Sequence, residues 1–90
     1  MRSWHVYVVK CRDGTLYTGT TNDLERRIND HNRGKGCRYT GGRWPVKLLH
    51  CESFRSKSSA LRREAWIKGL SRVEKMLLIE KRHGSCRRFT

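Results

Sequence analysis

The sequence predicts a small α/β domain of order ββαβαα, with helices packed on a three-stranded sheet. Three observations predict it. Two runs rich in β-branched and aromatic residues, WHVYVVK (4–10) and TLYTG (15–19), are separated only by a short turn segment. A third strand-like run, WPVKLLHCESF (44–54), stands alone further on. Helix-start signatures stand at TTND (20–23), before KSSALRREAWIKGL and before KMLLIEKR.

The first two strands form a hairpin, and its register decides which side chains share a face. A two-residue Asp13-Gly14 turn would set Tyr17 opposite Lys10, on the other face from Tyr7. A three-residue loop, Arg12-Asp13-Gly14, sets Cys11 opposite Thr15, Val9 opposite Tyr17 and Tyr7 opposite Gly19. The longer loop is preferred because Gly14 then takes the left-handed position that such loops favour. Side chains alternate with period two, so Tyr7 and Tyr17 then share one face. Gly19, facing Tyr7, ends a strand or leaves room for a backbone or ligand to approach.

The first helix is expected to start at Asn22 as N-cap, with Glu25 completing a capping box. Leu24 and Ile28 supply its apolar face, and Arg27 and His31 are neighbours one turn apart. Gly34 and Gly36 end it and open a basic loop. Pro45 lies near the start of the third strand, where a missing amide is tolerated. Ser56 caps the second helix, and Ser71 with Glu74 forms an S-x-x-E capping box for the third. Gly69 marks the break between them, and Gly84 suits a C-terminal cap. A single domain over residues 1–84 and a basic tail over 85–90 are expected, without internal repeats.

With 21 Lys and Arg against 8 Asp and Glu, the 90-residue chain carries a formal charge of +13. The cations are dispersed from Arg2 to Arg88. A dispersed basic surface suits a polyanion, and nucleic acid is the expected partner. The N-terminus lacks the apolar core of a signal peptide, and no run is long enough to span a membrane. A cytoplasmic protein with no membrane partner is expected. Cys11, Cys37, Cys51 and Cys86 show no C-x-x-C spacing, which argues against structural zinc; free thiols are expected in a reducing compartment.

These motifs together resemble the GIY-YIG nuclease superfamily. Tyr17-Thr18-Gly19 matches the second half of the name, and His5-Val6-Tyr7 keeps only the tyrosine of the first. Arg27, then His31, follow Tyr17 at the family's spacing. ALRREAWIKGLSRVEK places Glu64 where the family has its metal-binding glutamate. The strings TNDLERR, HN-x-GKG-x-x-YT, ALRRE and LSR-x-EK are similar to those of small stand-alone bacterial YhbQ- and YazA-like proteins. The resemblance covers about residues 4 to 82. Two departures stand out: His5 replaces a glycine, and no asparagine follows Asn32.

The resemblance implies a metal-dependent endonuclease hydrolysing DNA phosphodiester bonds, with branched, nicked or single-stranded DNA of repair or recombination as candidate substrates. Its site would be Tyr7, Tyr17, Arg27, His31 and Glu64. Glu64 is a hard oxygen ligand suited to Mg²⁺ or Mn²⁺, and a single divalent ion needs few carboxylates. Arg27 can hold a phosphate through its planar fork. A free phenol has a pKa of about 10, so a tyrosine base needs a nearby cation or metal-bound water. The resemblance gives that role to Tyr7; the residues alone do not choose between Tyr7 and Tyr17. His31 could orient a water or protonate the leaving group.

Each residue also has a plain reading. The tyrosines can pack on the sheet, Arg27 can belong to a solvated face, and Glu64 can pair with Lys68 one turn on. In the basic loop, Lys35, Arg38, Tyr39 and Arg43 can grip a phosphate backbone and stack a base. The same loop reads equally as a connector that Trp44 ties to the core. Without room for a separate DNA-binding domain, specificity would come from nucleic-acid shape or a protein partner. The rival reading is a non-catalytic module that binds DNA or RNA.

Overall fold

The computed structural model describes residues 3–33 and 45–81, with the side chain of Lys81 left out. The observed order is ββαβαα, as the sequence predicts: β1 (Trp4–Lys10), β2 (Leu16–Thr21), α1 (Leu24–Asn32), β3 (Lys47–Phe54), α2 (Lys57–Lys68) and α3 (Arg72–Lys81). The strands form one antiparallel sheet of order β2-β1-β3. The central β1 is covered on both faces, which is why Val6, Tyr7, Val8 and Val9 are all buried.

The hairpin takes the longer loop. Tyr7 faces Gly19 and Val9 faces Tyr17. The Cys11 amide donates to the Thr15 carbonyl at 2.8 Å, and Gly14 adopts φ +89°, a conformation that costs glycine little. The Asp13 carboxylate accepts from the Thr15 amide and hydroxyl, which stiffens the turn.

Alternation along the strands divides the core into two layers. Tyr7, Val9, Leu48 and Cys51 pack with Leu24 and Ile28 of α1 on one face. Val6 and Val8 pack with Ala60 and Ile67 of α2 on the other, joined by Leu78 and Ile79 of α3. A bulge in β3 corrects the phase: Val8 faces His50 and Val9 faces Leu48, so Leu49 is the extra residue. Leu48 and Cys51 can therefore share the α1 face while His50 and Glu52 turn toward α2.

The helix caps hold with one correction. The N-cap of α1 is Asp23, whose carboxylate accepts from the Arg26 amide at 3.3 Å; it is not Asn22. The reason lies just before it. The Thr21 hydroxyl accepts from the Asp23 amide at 3.1 Å, so β2 runs through Thr21 and the helix begins one residue later. Glu25 is thereby moved out of capping-box position. Ser56 caps α2 through the Ser59 amide. Ser71 and Glu74 form the reciprocal box at α3, with distances of 3.2 and 2.9 Å. Gly69 ends α2 with an ordinary right-handed φ. Gly34, Gly36, Gly84 and the tail 85–90 lie outside the described residues. Cys11 is buried, and Cys51 is disulfide-bonded, against the expectation of free thiols. No described helix is long and apolar enough to cross a membrane.

Candidate functional site

The side chains nearest to a site gather where α1 lies on the sheet. Leu24 and Ile28 dock α1 against the face that carries Tyr7 and Tyr17. Arg27 and His31, one turn apart, then reach the same tyrosines. The Tyr7 oxygen and His31 Nε2 share a hydrogen bond of 3.0 Å. Arg27 Nε donates to the same phenol oxygen over a long 3.4 Å. The Tyr17 ring completes the cluster, its centroid 6.3 Å from that of Tyr7 and 5.5 Å from that of His31.

Gly19 makes this arrangement possible. A Cβ there would lie 2.5 Å from the Tyr7 oxygen and 2.6 Å from the carbon bearing it. The group that approaches Gly19 closely is therefore the Tyr7 phenol, not a ligand. The ring is laid flat across the neighbouring strand, and its oxygen is carried to α1.

His31 is fully buried, and its pKa is lowered from 6.5 to about 4. Burial is the main cause, because imidazolium loses its hydration there. The Arg27 guanidinium lowers it further, and Asp30 opposes both. At neutral pH the ring is uncharged. The tautomer protonated on Nδ1 leaves Nε2 to accept the phenol proton.

Glu64 is held elsewhere. Its Oε1 accepts from the Thr20 hydroxyl at 2.6 Å, and its Oε2 pairs with Lys68 at 2.8 Å. Thr20 follows Gly19 and so points to the opposite face of the edge strand β2. The structure thus brings Tyr7, Tyr17, Arg27 and His31 together and sets Glu64 across β2 from them. The ion pair with Lys68 is present, but the Lys68 side chain is 53% exposed, so displacing it costs only a few tenths of a kcal/mol, roughly.

Among the described residues, no group of three His, Cys, Asp or Glu side chains could enclose a metal. One carboxylate still suits a hydrated Mg²⁺ or Mn²⁺, which keeps several waters and takes oxygens from a substrate phosphate. Thr20, which orients the Glu64 carboxylate, carries no sequence signal, because it depends on how α2 crosses the sheet. A shallow polar recess beside Arg27 is lined by Thr21, Asn22, Arg26 and Asp30. Arg26 was legible only as one cation among many. Lys35, Arg38, Tyr39 and Arg43 lie outside the described residues.

Comparison with known proteins gives one consistent result. Residues 3–76 match the family model described as the GIY-YIG catalytic domain. A UPF0213 protein of Halobacterium salinarum is 60% identical over 74 residues, covering 82% of this chain and 96% of its own length. A UPF0213 protein of Streptococcus agalactiae is 53% identical over 76 residues, covering 84% of this chain and 86% of its own. Among solved structures, the solution NMR structure of a UPF0213 protein from Bacillus halodurans is 43% identical with a TM-score of 0.60, covering 92% of this chain and 88% of that one.

Proposed function

Because the chain belongs to the GIY-YIG nuclease superfamily, in its UPF0213 branch, we propose that it is a metal-dependent endonuclease hydrolysing DNA phosphodiester bonds. Branched, nicked or single-stranded DNA, as met in repair or recombination, is the proposed substrate, and the cytoplasm the proposed location. The observation that carries this reading is the row Arg27, Tyr7, His31, joined through one phenol oxygen.

Each member has a part in the proposed chemistry. Tyr7, as phenolate, takes a proton from the attacking water; the Arg27 guanidinium beside its oxygen stabilises that charge, and His31 holds the oxygen in place. The lowered pKa of His31 keeps the ring uncharged at neutral pH, a hydrogen-bonding partner of Tyr7 and not a base. It also makes His31 a poor proton donor to a leaving group there. Arg27 stabilises charge on the phosphate through its guanidinium. Tyr17 fixes the positions of the Tyr7 and His31 rings. Mg²⁺ or Mn²⁺ held by Glu64 would relieve charge on the scissile phosphate. Lys35, Arg38, Tyr39 and Arg43 are proposed as contacts to the DNA backbone and bases, and a protein partner as a source of specificity.

A second reading, a non-catalytic module binding DNA or RNA, draws on a specific observation. Tyr7 is 1% exposed, and Glu64 is already occupied by Thr20 and Lys68. The test is the purified protein with Mg²⁺ or Mn²⁺ against duplex, single-stranded, flap and junction DNA, and RNA. Cleavage should appear and fall about a hundredfold in Tyr7→Phe, or about 2.7 kcal/mol. It should also fall in Glu64→Gln, while metal-free DNA binding holds or tightens. Tight binding without cleavage in every combination would establish the second reading instead.

A further inference from the structure

We propose that Trp66, with Arg62 and Arg63, is a base-stacking platform for single-stranded nucleic acid, separate from the Tyr7–His31 cluster. The proposal rests on the reading of this protein as one that binds nucleic acid. Trp66 is 53% exposed, although an indole is costly to leave in water. Its exposure does not come from looseness. The Arg63 guanidinium lies 4.4 Å from the ring centroid, a cation–π contact that helps fix the ring. Arg63 is itself clamped by a two-point fork on Glu52, at 2.9 and 3.1 Å. Glu52 is 8% exposed, sits on β3 and is also hydrogen-bonded with His50 at 2.8 Å. A chain of fixed contacts therefore runs from the sheet through Glu52 and Arg63 to an exposed indole.

A counter-ion for Glu52 would need only Arg63. The indole held on that arginine is an additional feature, and it offers a flat apolar surface of fixed orientation. Charge decides the occupant. Arg62, one turn before Trp66, is held by the Ser58 hydroxyl at 3.2 Å, and Glu52 is neutralised by its partners. With Arg63 and Glu52 balancing each other, Arg62 supplies the net positive charge on this part of α2, on a chain of charge +13. An anionic chain bearing flat rings satisfies both features, and unpaired bases are the form able to stack.

This platform lies away from the cluster on α1. At about 100° per residue, Trp66 and Glu64 are about 200° apart around α2. Glu64 reaches Thr20 on β2, while Arg63 reaches Glu52 on β3, and these strands form opposite edges of the sheet. A strand engaging Trp66 would be held by a surface that does not carry the proposed hydrolysis.

The test is binding of an oligothymidylate of about ten nucleotides, and of its abasic counterpart, without metal, to wild type, Trp66→Phe and Trp66→Ala. Melting curves establish that each variant is folded. Wild type should bind oligothymidylate about tenfold more tightly than the abasic strand. Trp66→Ala should bind both alike, at the abasic level, and Trp66→Phe should fall between. The difference between wild-type and Trp66→Phe fluorescence should be quenched by oligothymidylate and not by the abasic strand. Equal binding by wild type and Trp66→Ala would overturn the platform while leaving nucleic-acid binding intact. Binding of neither strand by wild type would overturn both. Self-association of wild type that Trp66→Ala abolishes, with oligothymidylate binding unchanged, would reassign the surface to a protein contact.

Discussion

The two faces of the sheet bury ionisable groups in opposite ways. On the α2 face, Glu52 is buried with its charge answered. Burial works to raise its carboxyl, but hydrogen bonds from Arg63 and His50 outweigh that and hold it below the ordinary carboxylate value. On the α1 face, His31 is buried with a cation beside it, so its protonated form is penalised twice, by burial and by Arg27. One face holds an ion pair that stays ionised. The other holds a neutral imidazole against a phenol. The lesson is that burial alone does not mark a reactive group. The sign of the neighbouring charge separates a carboxylate held ionised from a histidine held neutral.

The largest expected effect tests the His31 half of this contrast. Its folded pKa of about 4 lies below the unfolded value of 6.5. As pH falls through that window the unfolded chain takes up a proton that the native state refuses, so native stability falls. The full loss is about 3 kcal/mol, and most of it precedes any loss from Glu52, whose folded carboxyl titrates below 4.5. Denaturant titrations of wild type and His31→Gln at steps from pH 7 to pH 4.5 measure it. The wild-type slope should be the steeper throughout. Parallel curves would show that His31 titrates normally and would erase the contrast between the faces.

A smaller effect comes from the close approach on which the α1 face depends. Gly19→Ala places a methyl 2.5 Å from the Tyr7 oxygen. The ring is buried and tied to His31, so it cannot move aside freely. Destabilisation of about 2 kcal/mol is expected, as for overpacked cores. The Tyr7–His31 hydrogen bond should break, which a shift of the His31 imidazole resonances in NMR would report. An unchanged melting temperature with unchanged resonances would mean that Tyr7 does not lie across Gly19.

Much of the α1 face was legible in the sequence because it is built from short-range rules. Alternation and the three-residue loop placed Tyr7 beside Tyr17, and the i,i+4 spacing placed Arg27 beside His31. α1 starts one residue later than the sequence predicts, because Asn22 and Asp23 are both good caps. The Thr21 hydroxyl, which decides between them, acts through a turn the residue types do not reveal. The α2 face was far less legible. In the sequence Arg63 is only one residue of ALRRE, yet it pairs with Glu52, eleven positions earlier. Glu64 meets Thr20 across 44 positions. Such contacts depend on the bulge at Leu49 and on how α2 docks, neither of which has a local signature. The neutrality of His31 was likewise hidden, because it follows from burial in three dimensions.

The smallest effect separates geometry from charge at Arg27. Arg27→Lys keeps a cation near His31 but loses the planar fork. Under the proposed function, Arg27 donates to the Tyr7 oxygen with Nε and contacts the phosphate through its planar fork. A lysine ammonium can serve one of these at a time. Cleavage should fall about tenfold, or roughly 1.4 kcal/mol of transition-state stabilisation. Stability should change by no more than about 0.5 kcal/mol, since Arg27 is only partly buried. The lowered pKa of His31 should persist, because burial is its leading cause and the neighbouring charge is retained. Cleavage, melting temperature and the imidazole titration are measured on one preparation. A tenfold loss of cleavage with the other two unchanged assigns Arg27 to the phosphate. Wild-type turnover would return it to the solvated surface and leave Tyr7 and His31 as a packed pair like the one on the opposite face.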